Sequence, residues 1–286
     1  MTNAGKVHTN AHELTLGFIP VQTRDFTWDI NVNFTKIDNY VDELAEGVSS
    51  IMLGGFVEPQ VRAGIGDKYP VIYGIDYVRN EEGKVIVDKD GFPMAGDNAV
   101  LGAVSPDFQL GFSTGIEWKG LRVNAVFDWK KGGKMYAGSA TMMEYYGTSI
   151  VSQEYRDKES FIFDWEDAVK ITGYDGDGNA IYAPNDIEIS GADAQAFFST
   201  MNDISACFVR DASYLKLREV SVSYPIVRAK WGSITASLFG RNILLWTAIR
   251  GFDPEASQGN NNMSGGFERF SLPGSSSFGG GLKFNF

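Results

Sequence analysis

Cysteine is almost absent from this chain of 286 residues. Cys207 stands alone, so no intrachain disulfide can form and no thiol cluster can hold a metal. Histidine is nearly as scarce. His8 and His12 both lie near the start, which argues against histidine-based zinc sites and most nucleophile–histidine–acid triads. Basic residues are too few for a polyanion partner: 25 Lys and Arg against 36 Asp and Glu give a net charge of −11, which argues against nucleic acid. No run of 18 apolar residues occurs, so a transmembrane helix is excluded. The opening MTNAGKVHTNAHE lacks the apolar centre of a signal peptide, so the expectation is a cytoplasmic protein or a chain whose true beginning lies upstream. Proline is limited to 9 positions, whereas glycine occupies 33 and aromatic residues make up 13%. That balance leans towards β-structure with many tight turns.

The length suits one large domain or two small ones. Charge is unevenly spread along it. Residues 36–106 hold 12 acidic and 6 basic side chains, and residues 131–210 hold 13 and 6. These two stretches therefore carry more than the whole net negative charge, and the remainder is slightly basic.

The remainder alternates. In FTWDINVNFT, Phe26, Trp28, Ile30, Val32 and Phe34 fall on one side and Thr27, Asp29, Asn31, Asn33 and Thr35 on the other. Strict period-2 alternation is the mark of a strand with one apolar and one wet face. Leu14, Leu16 and Phe18 repeat it before a turn near 20–25. FQLGFSTGIEW and LRVNAVFDW form another pair around Lys119-Gly120. SYLKLREVSVSY and SITASLFGRNILLW follow, and SFGGGLKFNF ends the chain with Phe278, Leu282, Phe284 and Phe286 in alternation. Seven long strands result. Short turns near 20–25, 119–120 and 225–232 alternate with long segments at about 36–106, 131–210 and 247–276.

Short turns at one end and long loops at the other is the layout of an outer-membrane β-barrel. A spanning strand needs about 9–11 tilted residues, and these strands supply them. Trp28, Trp118, Trp129, Trp231 and Trp246 sit at or near strand ends, where interfacial aromatic girdles belong. A soluble β-sandwich shows the same alternation and stays open at this point, although connections this long are unusual in a compact sandwich.

Motifs that would carry chemistry read as structure. GFSTG (111–115) fits a G-x-S-x-G elbow, but that elbow needs a strand-to-helix turn and a histidine, and Ser113 lies mid-strand. DGDGN (175–179) hints at a calcium loop, yet Ala180 and Asp186 stand where an EF-hand needs Gly and Glu, so a hairpin turn is expected. Asp164, Glu166 and Asp167 could supply paired carboxylates for glycoside cleavage, with a solvated loop as the plainer reading. Phe161, Phe163 and Trp165 around it, with Tyr145 and Tyr146, are better candidates for stacking on a sugar, and packing among themselves is the plainer reading. The glycines at 64 and 66 follow no clear strand and open no helix, so no nucleotide site is expected. Within the long segments a hairpin turning at Asn80–Lys84, a second turn at Asp88–Gly91 and a short helix over 191–203 are expected.

The segment DASYLKLREVSVSYPI…SITASLFGRNILLWTAIRGFDPE resembles the C-terminal signature of SusC/RagA-type TonB-dependent outer-membrane transporters. Asp211–Ser213, Tyr224, Asn242 to Trp246, Gly251–Glu255 and terminal Phe286 stand where that signature has its Asp-Ala-Ser start, strand end, Asn-Leu-Trp strand, Gly-Phe-Asp-Pro-Glu loop and final Phe. SPDFQLGFSTGIEWKGLRVNAVFDWKKGGKMY and YPVIYGIDYVRNEEGKVIVDKDGFP resemble it too. The resemblance implies an all-β fold: the C-terminal part of a transmembrane antiparallel barrel, with short periplasmic turns and long extracellular loops. It implies that residues 1–286 are a partial barrel domain of about seven strands, with the plug and earlier strands absent. Non-enzymatic import of oligosaccharides or peptides across the outer membrane is implied, with no cofactor. Implied partners are a SusD-like surface lipoprotein, the TonB complex through the missing N-terminal part, the barrel-assembly machinery and the lipid bilayer. Phe278, Leu282, Phe284 and Phe286 would form the membrane-assembly signal. The alternative is a soluble secreted carbohydrate-binding sandwich or adhesin.

Overall fold

The computed structural model of the protein describes residues 5–249, 251–258, 265–272 and 274–286. Seven long strands form one sheet: β1 (Gly5–Gln22), β2 (Phe26–Leu44), β3 (Phe108–Trp118), β4 (Leu121–Lys131), β5 (Tyr214–Ala229), β6 (Gly232–Thr247) and β7 (Ser277–Asn285). They pair antiparallel in chain order, a meander with each strand beside its sequence neighbours. Every alternating segment read from the sequence is one of these strands. The sheet does not close on itself, and β1 and β7 each pair along one side.

Register explains why alternation was so regular. Directly paired residues in an antiparallel ladder share a face. Leu16, Val32, Phe112, Phe127, Leu217 and Leu244 stand opposite one another in a continuous apolar row across β1 to β6. Ile30, Thr114, Ala125, Val220 and Gly240 make the next row on that face, and Trp28, Ile116, Val123, Val222 and Leu238 the one after. The intervening row carries Asp29, Gly115, Asn124 and Ser221 on the opposite face. There Arg122 bonds Asp29 at 3.0 Å and Asn124 at 2.9 Å, and Asn124 donates to Ser221 at 3.3 Å.

The apolar face is bare. Leu16, Trp118, Leu238 and Leu282 are about half-exposed or more, and no second sheet lies over them among the described residues. A sandwich buries such a face against a partner sheet, so the sandwich alternative finds no support in the packing. Tryptophans mark both ends of the face. Trp118 pairs with Leu121 at the short-turn end, and Trp129 lies eight positions along β4, roughly 26 Å of strand at 3.3 Å per residue. An apolar band about 25 Å tall between aromatic girdles is the pattern of a bilayer-spanning barrel wall.

The turn Lys119-Gly120 has positive φ at both residues, 49° and 89°, as a two-residue type I′ hairpin requires. At the other end the strands run further than alternation alone suggested. β2 continues to Leu44, paired with β1 back to Gly5, so the long connections are 45–107, 132–213 and 248–276. Beyond the apolar band the strands no longer carry an apolar residue at every second position, and the sequence signal fades while the ladder continues.

The long connections are a folded unit rather than loops with minor structure. A four-stranded sheet pairs Ser50–Gly55, Gln60–Gly64, Val71–Tyr77 and Ala95–Ala103. Three helices follow: α1 (Gly138–Tyr145), α2 (Ile150–Arg156) and α3 (Ala194–Asn202). Val61, Tyr77, Val85, Phe161, Phe197, Phe198, Met201, Phe208 and Phe267 meet in one buried core to which all three connections contribute. The short strand Lys134–Ala137 lies between Val209–Asp211 and Phe267–Glu268, joining the second connection to the third. Buried Glu268 accepts bonds from the Ser139 hydroxyl at 2.6 Å and from its backbone N–H at 3.2 Å, at the N-terminal end of α1, where the helix dipole favours an anion. The expected turns at Asn80–Lys84 and Asp88–Gly91 and the helix at 191–203 are all present, the helix opening with a 3-10 turn.

Candidate functional site

The strand that opens DASYLKLRE places Tyr214, Lys216 and Arg218 near the junction of the wall with the folded unit. Asp211 accepts the backbone N–H of Ser213, and the Ser213 hydroxyl accepts the N–H of Gly132, so the start of β5 is locked against the end of β4. The loop carrying Gly251–Glu255 then bends back onto β5. Asp253 accepts from Lys216 Nζ at 2.6 Å, and Glu255 accepts from the same nitrogen. Arg218 spans Glu255 and Asp128 of β4, and the Tyr214 hydroxyl donates to Glu255 at 2.9 Å. Lys216 is 5% exposed.

A lysine that deep is stable only when paired and fully hydrogen-bonded. Here two carboxylates do that, and Arg218 balances the second. For Glu255, burial alone would raise the carboxyl, but hydrogen bonds from Arg218 and Lys216 outweigh it and hold it down at about 2. The alternating Tyr-x-Lys-x-Arg of β5 and the Asp-x-Glu of the loop are thus two halves of one ionic tether. Sequence reading recognised both as motifs but not that they meet. The one available signal was charge: Lys216 and Arg218 stand two positions apart near the start of a strand whose polar face continues through Glu219 and Ser221.

A cavity of about 620 Å³ lies beside the tether, between Lys216, Arg218 and the 251–256 loop. A second, of about 510 Å³, lies where the wall meets the folded unit, lined by Thr35, Asn39, Tyr69, Gln109 and Lys130. Both have the size of small-ligand sites.

The stacking candidates are not brought together. Tyr145 and Tyr146 meet edge to face at 5.0 Å, Tyr146 being largely exposed. Trp165 lies apart, half-buried against Phe163 and under the Arg210 guanidinium at 5.6 Å. Of the acidic trio, Glu166 pairs with Arg79 at 2.5 Å, while Asp164 and Asp167 border a different cavity beside Lys84. Ser113 is mid-strand between Asn31 and Val126. Asp175 accepts the N–H groups of Asp177 and Asn179, so DGDGN is a hairpin turn. Gly64 corrects the reading that no strand precedes the GxG: it ends the strand Gln60–Gly64. The turn after it, with Gly66 at φ +83°, opens no helix. Of the residues expected to form an assembly signal, Phe278, Leu282, Phe284 and Phe286 are all at least half-exposed, and Phe286 contacts Phe284 and Trp231.

No protein-family model matches the chain. It is similar to the TonB-dependent receptor P26 of Formosa agariphila, 23% identical over 319 residues that include all of this chain and 30% of the relative. It is also similar to the TonB-dependent receptor P3 of the same organism, 22% identical over 289 residues, 91% of this chain and 26% of the relative. Among solved structures, the RagAB peptide importer in a closed-closed state matches with TM-score 0.65 and 18% identity, over 99% of this chain and 30% of the other. The RagAB peptide transporter gives TM-score 0.65 and 19% identity over the same shares. The chain therefore spans less than a third of the relatives it matches. These matches bear out the resemblance to SusC/RagA-type TonB-linked outer-membrane transporters, in the C-terminal portion of the barrel, and with it the all-β fold. The relatives named are receptors and importers, not enzymes.

Proposed function

We propose that this chain is the C-terminal wall and extracellular crown of an outer-membrane transporter that imports oligosaccharides or peptides in a TonB-dependent manner. The observation that carries this reading is the two-faced sheet. It has an apolar face bare between tryptophan girdles, a polar face carrying its own hydrogen-bond network, and a folded unit gathered at one end. Bare apolar strands are stable against lipid, and their free edges must then be paired by further strands of the same barrel. The folded unit offers the surface on which a SusD-like lipoprotein would sit. The RagAB relatives are named as a peptide importer, which supports weighing peptides equally with glycans.

The test uses the complete transporter in its own outer membrane. Uptake of labelled oligopeptides and oligosaccharides is measured with and without TonB; TonB-dependent uptake of either supports the reading, and uptake of neither overturns it. Topology is checked with a tag at Gly176, in the hairpin turn of the folded unit, which should be labelled on intact cells. Labelling only after permeabilisation would reverse the orientation.

The chain's final strand is proposed to be an assembly signal as well as a barrel stave. Phe278, Leu282, Phe284 and Phe286 present an exposed alternating stripe that the barrel-assembly machinery would read. Deleting Phe286 from the complete protein should sharply lower heat-modifiable material in the outer membrane. Unchanged yield would refute the role.

A further inference from the structure

Asn202, the last residue of α3, carries a polar atom whose bonding is incomplete. Its Oδ1 is buried and accepts no hydrogen bond. An acceptor left so is destabilising, and such atoms are rare in folded proteins. Asn202 borders a cavity of about 140 Å³ inside the folded unit. Phe56 and Glu58 reach it from the turn between Ser50–Gly55 and Gln60–Gly64, Tyr136 from the short strand Lys134–Ala137, Met142 from α1, and Arg269 from the third connection.

Arg269 and Glu58 bring opposite charges to this cavity without pairing with each other. The Arg269 guanidinium lies over the Phe56 ring, 4.9 Å from its centroid, and meets no carboxylate among the described residues. Glu58 accepts one hydrogen bond, from Asn98 Nδ2 at 3.2 Å, and meets no cation among them. The cavity thus combines a cation, an anion and an orphaned acceptor against an apolar wall of Phe56, Tyr136 and Met142.

We propose that this cavity binds a small zwitterionic α-amino acid, with its carboxylate on Arg269 and its ammonium between Asn202 Oδ1 and Glu58. The planar guanidinium fork matches a carboxylate with two parallel donors. An ammonium offers three donors and no acceptor, so one group supplies both the missing partner of Oδ1 and the countercharge of Glu58. Simpler ions fit less well. A metal cation would suit the two acceptors and be repelled by Arg269. An inorganic anion would suit Arg269, meet Glu58 and leave Oδ1 unpaired. Size narrows the class further: 140 Å³ is the liquid volume of about four or five waters, which suits a side chain no larger than methyl or hydroxymethyl. The inference does not rest on what the transporter imports, because neither an oligosaccharide nor a peptide has room here.

The experiment is calorimetric titration of the complete transporter in detergent with L-alanine. Saturable binding with a dissociation constant below about 10 mM is expected. Alaninamide lacks the carboxylate and N-acetyl-alanine lacks the ammonium; each should bind at least about tenfold more weakly, the size of effect expected for one lost charged contact. Asn202→Ala should weaken alanine binding about tenfold for the same reason, and Arg269→Met should abolish it. No saturation up to about 10 mM, the result of a cavity that holds water only, would overturn the proposal. So would undiminished binding of either blocked analogue, or undiminished binding of alanine by either variant. Should a variant fail to fold, the two analogues decide the question on the unaltered protein.

Discussion

Replacing Lys216 by Met should release the 251–256 loop from the wall while leaving the barrel inserted. Lys216 is 5% exposed and holds Asp253 at 2.6 Å together with Glu255. Removing one partner of a buried ion pair typically costs 3–5 kcal/mol, because the other charge is left uncompensated. Two features place this case at the low end. Glu255 keeps Arg218 and Tyr214, and its side chain is 37% exposed, so water and a second cation take up part of the loss. Asp253, at 18% exposure, loses its lysine outright. A cost of about 3 kcal/mol corresponds to roughly a hundredfold rise in the open population of the loop. Native-state proteolysis of the complete transporter reads that population when opening is fast relative to cleavage. The expected result is cleavage near 251–258 accelerated about a hundredfold, with heat-modifiability unchanged. Arg241→Met serves as the control, since its pair with Glu219 at 2.8 Å is 59% exposed on the arginine side and should matter by less than about 1 kcal/mol. Acceleration of less than about threefold in Lys216→Met, or equal acceleration in the control, would refute the tether.

The tether should also be acid-sensitive in a defined window. The Glu255 carboxyl lies below its ordinary 4.5, so its contribution is complete above that pH and is lost as pH falls towards about 2; proteolysis of the loop should rise across that interval and not between pH 5 and 8. Val123→Arg should destabilise the barrel by about 2–4 kcal/mol if Val123 lies near the bilayer midplane, as its place in the Ile116–Val222 row suggests. Asn124→Arg, on the opposite face beside Ser221, should cost less in the same urea titration in lipid vesicles; the reverse order would mean that the faces are inverted. Phe197→Ala should open the folded unit, because Phe197 is 1% exposed and packs against Phe161, Phe163 and Phe198; a cost of about 3–5 kcal/mol is expected by hydrogen exchange of α3, with β3 and β4 unaffected.

The wall was legible in the sequence because one physical demand acts on it at every second residue. An apolar face on one side and a hydrogen-bonded polar face on the other impose a period that survives even the bulge at Leu217–Glu219, where one extra residue keeps Leu217 and Val220 on the same face. Where that demand ends, legibility ends with it. Lys36–Leu44 continues the ladder with β1 but lies beyond the strand that pairs the other edge of Phe26–Thr35, and its alternation dissolves. The folded unit could not be read as a unit because its core is assembled across the chain. Val61, Phe161, Phe197 and Phe267 belong to segments separated by most of two barrel hairpins, and no local period announces that they meet.

The candidate site shows the same division in finer detail. Tyr214, Lys216 and Arg218 alternate on one strand face, so their common direction follows from period 2 alone. That Asp253 and Glu255 come back to meet them follows from the path of the connection after β6, which the sequence does not encode in any repeating pattern. A strand fixes which side chains share a face, and the returning loop decides which charge they find there. Once the loop carries two carboxylates to a buried lysine, the alternatives are narrow: the pair forms, or the loop stays away from the wall. Packing against Met135, Ala212 and Ile249 holds Phe252 in place and brings the first outcome about. Phe252 therefore acts upstream of the charges, and its replacement by Ser should loosen Lys216 and Glu255 together, although it touches neither in a polar contact.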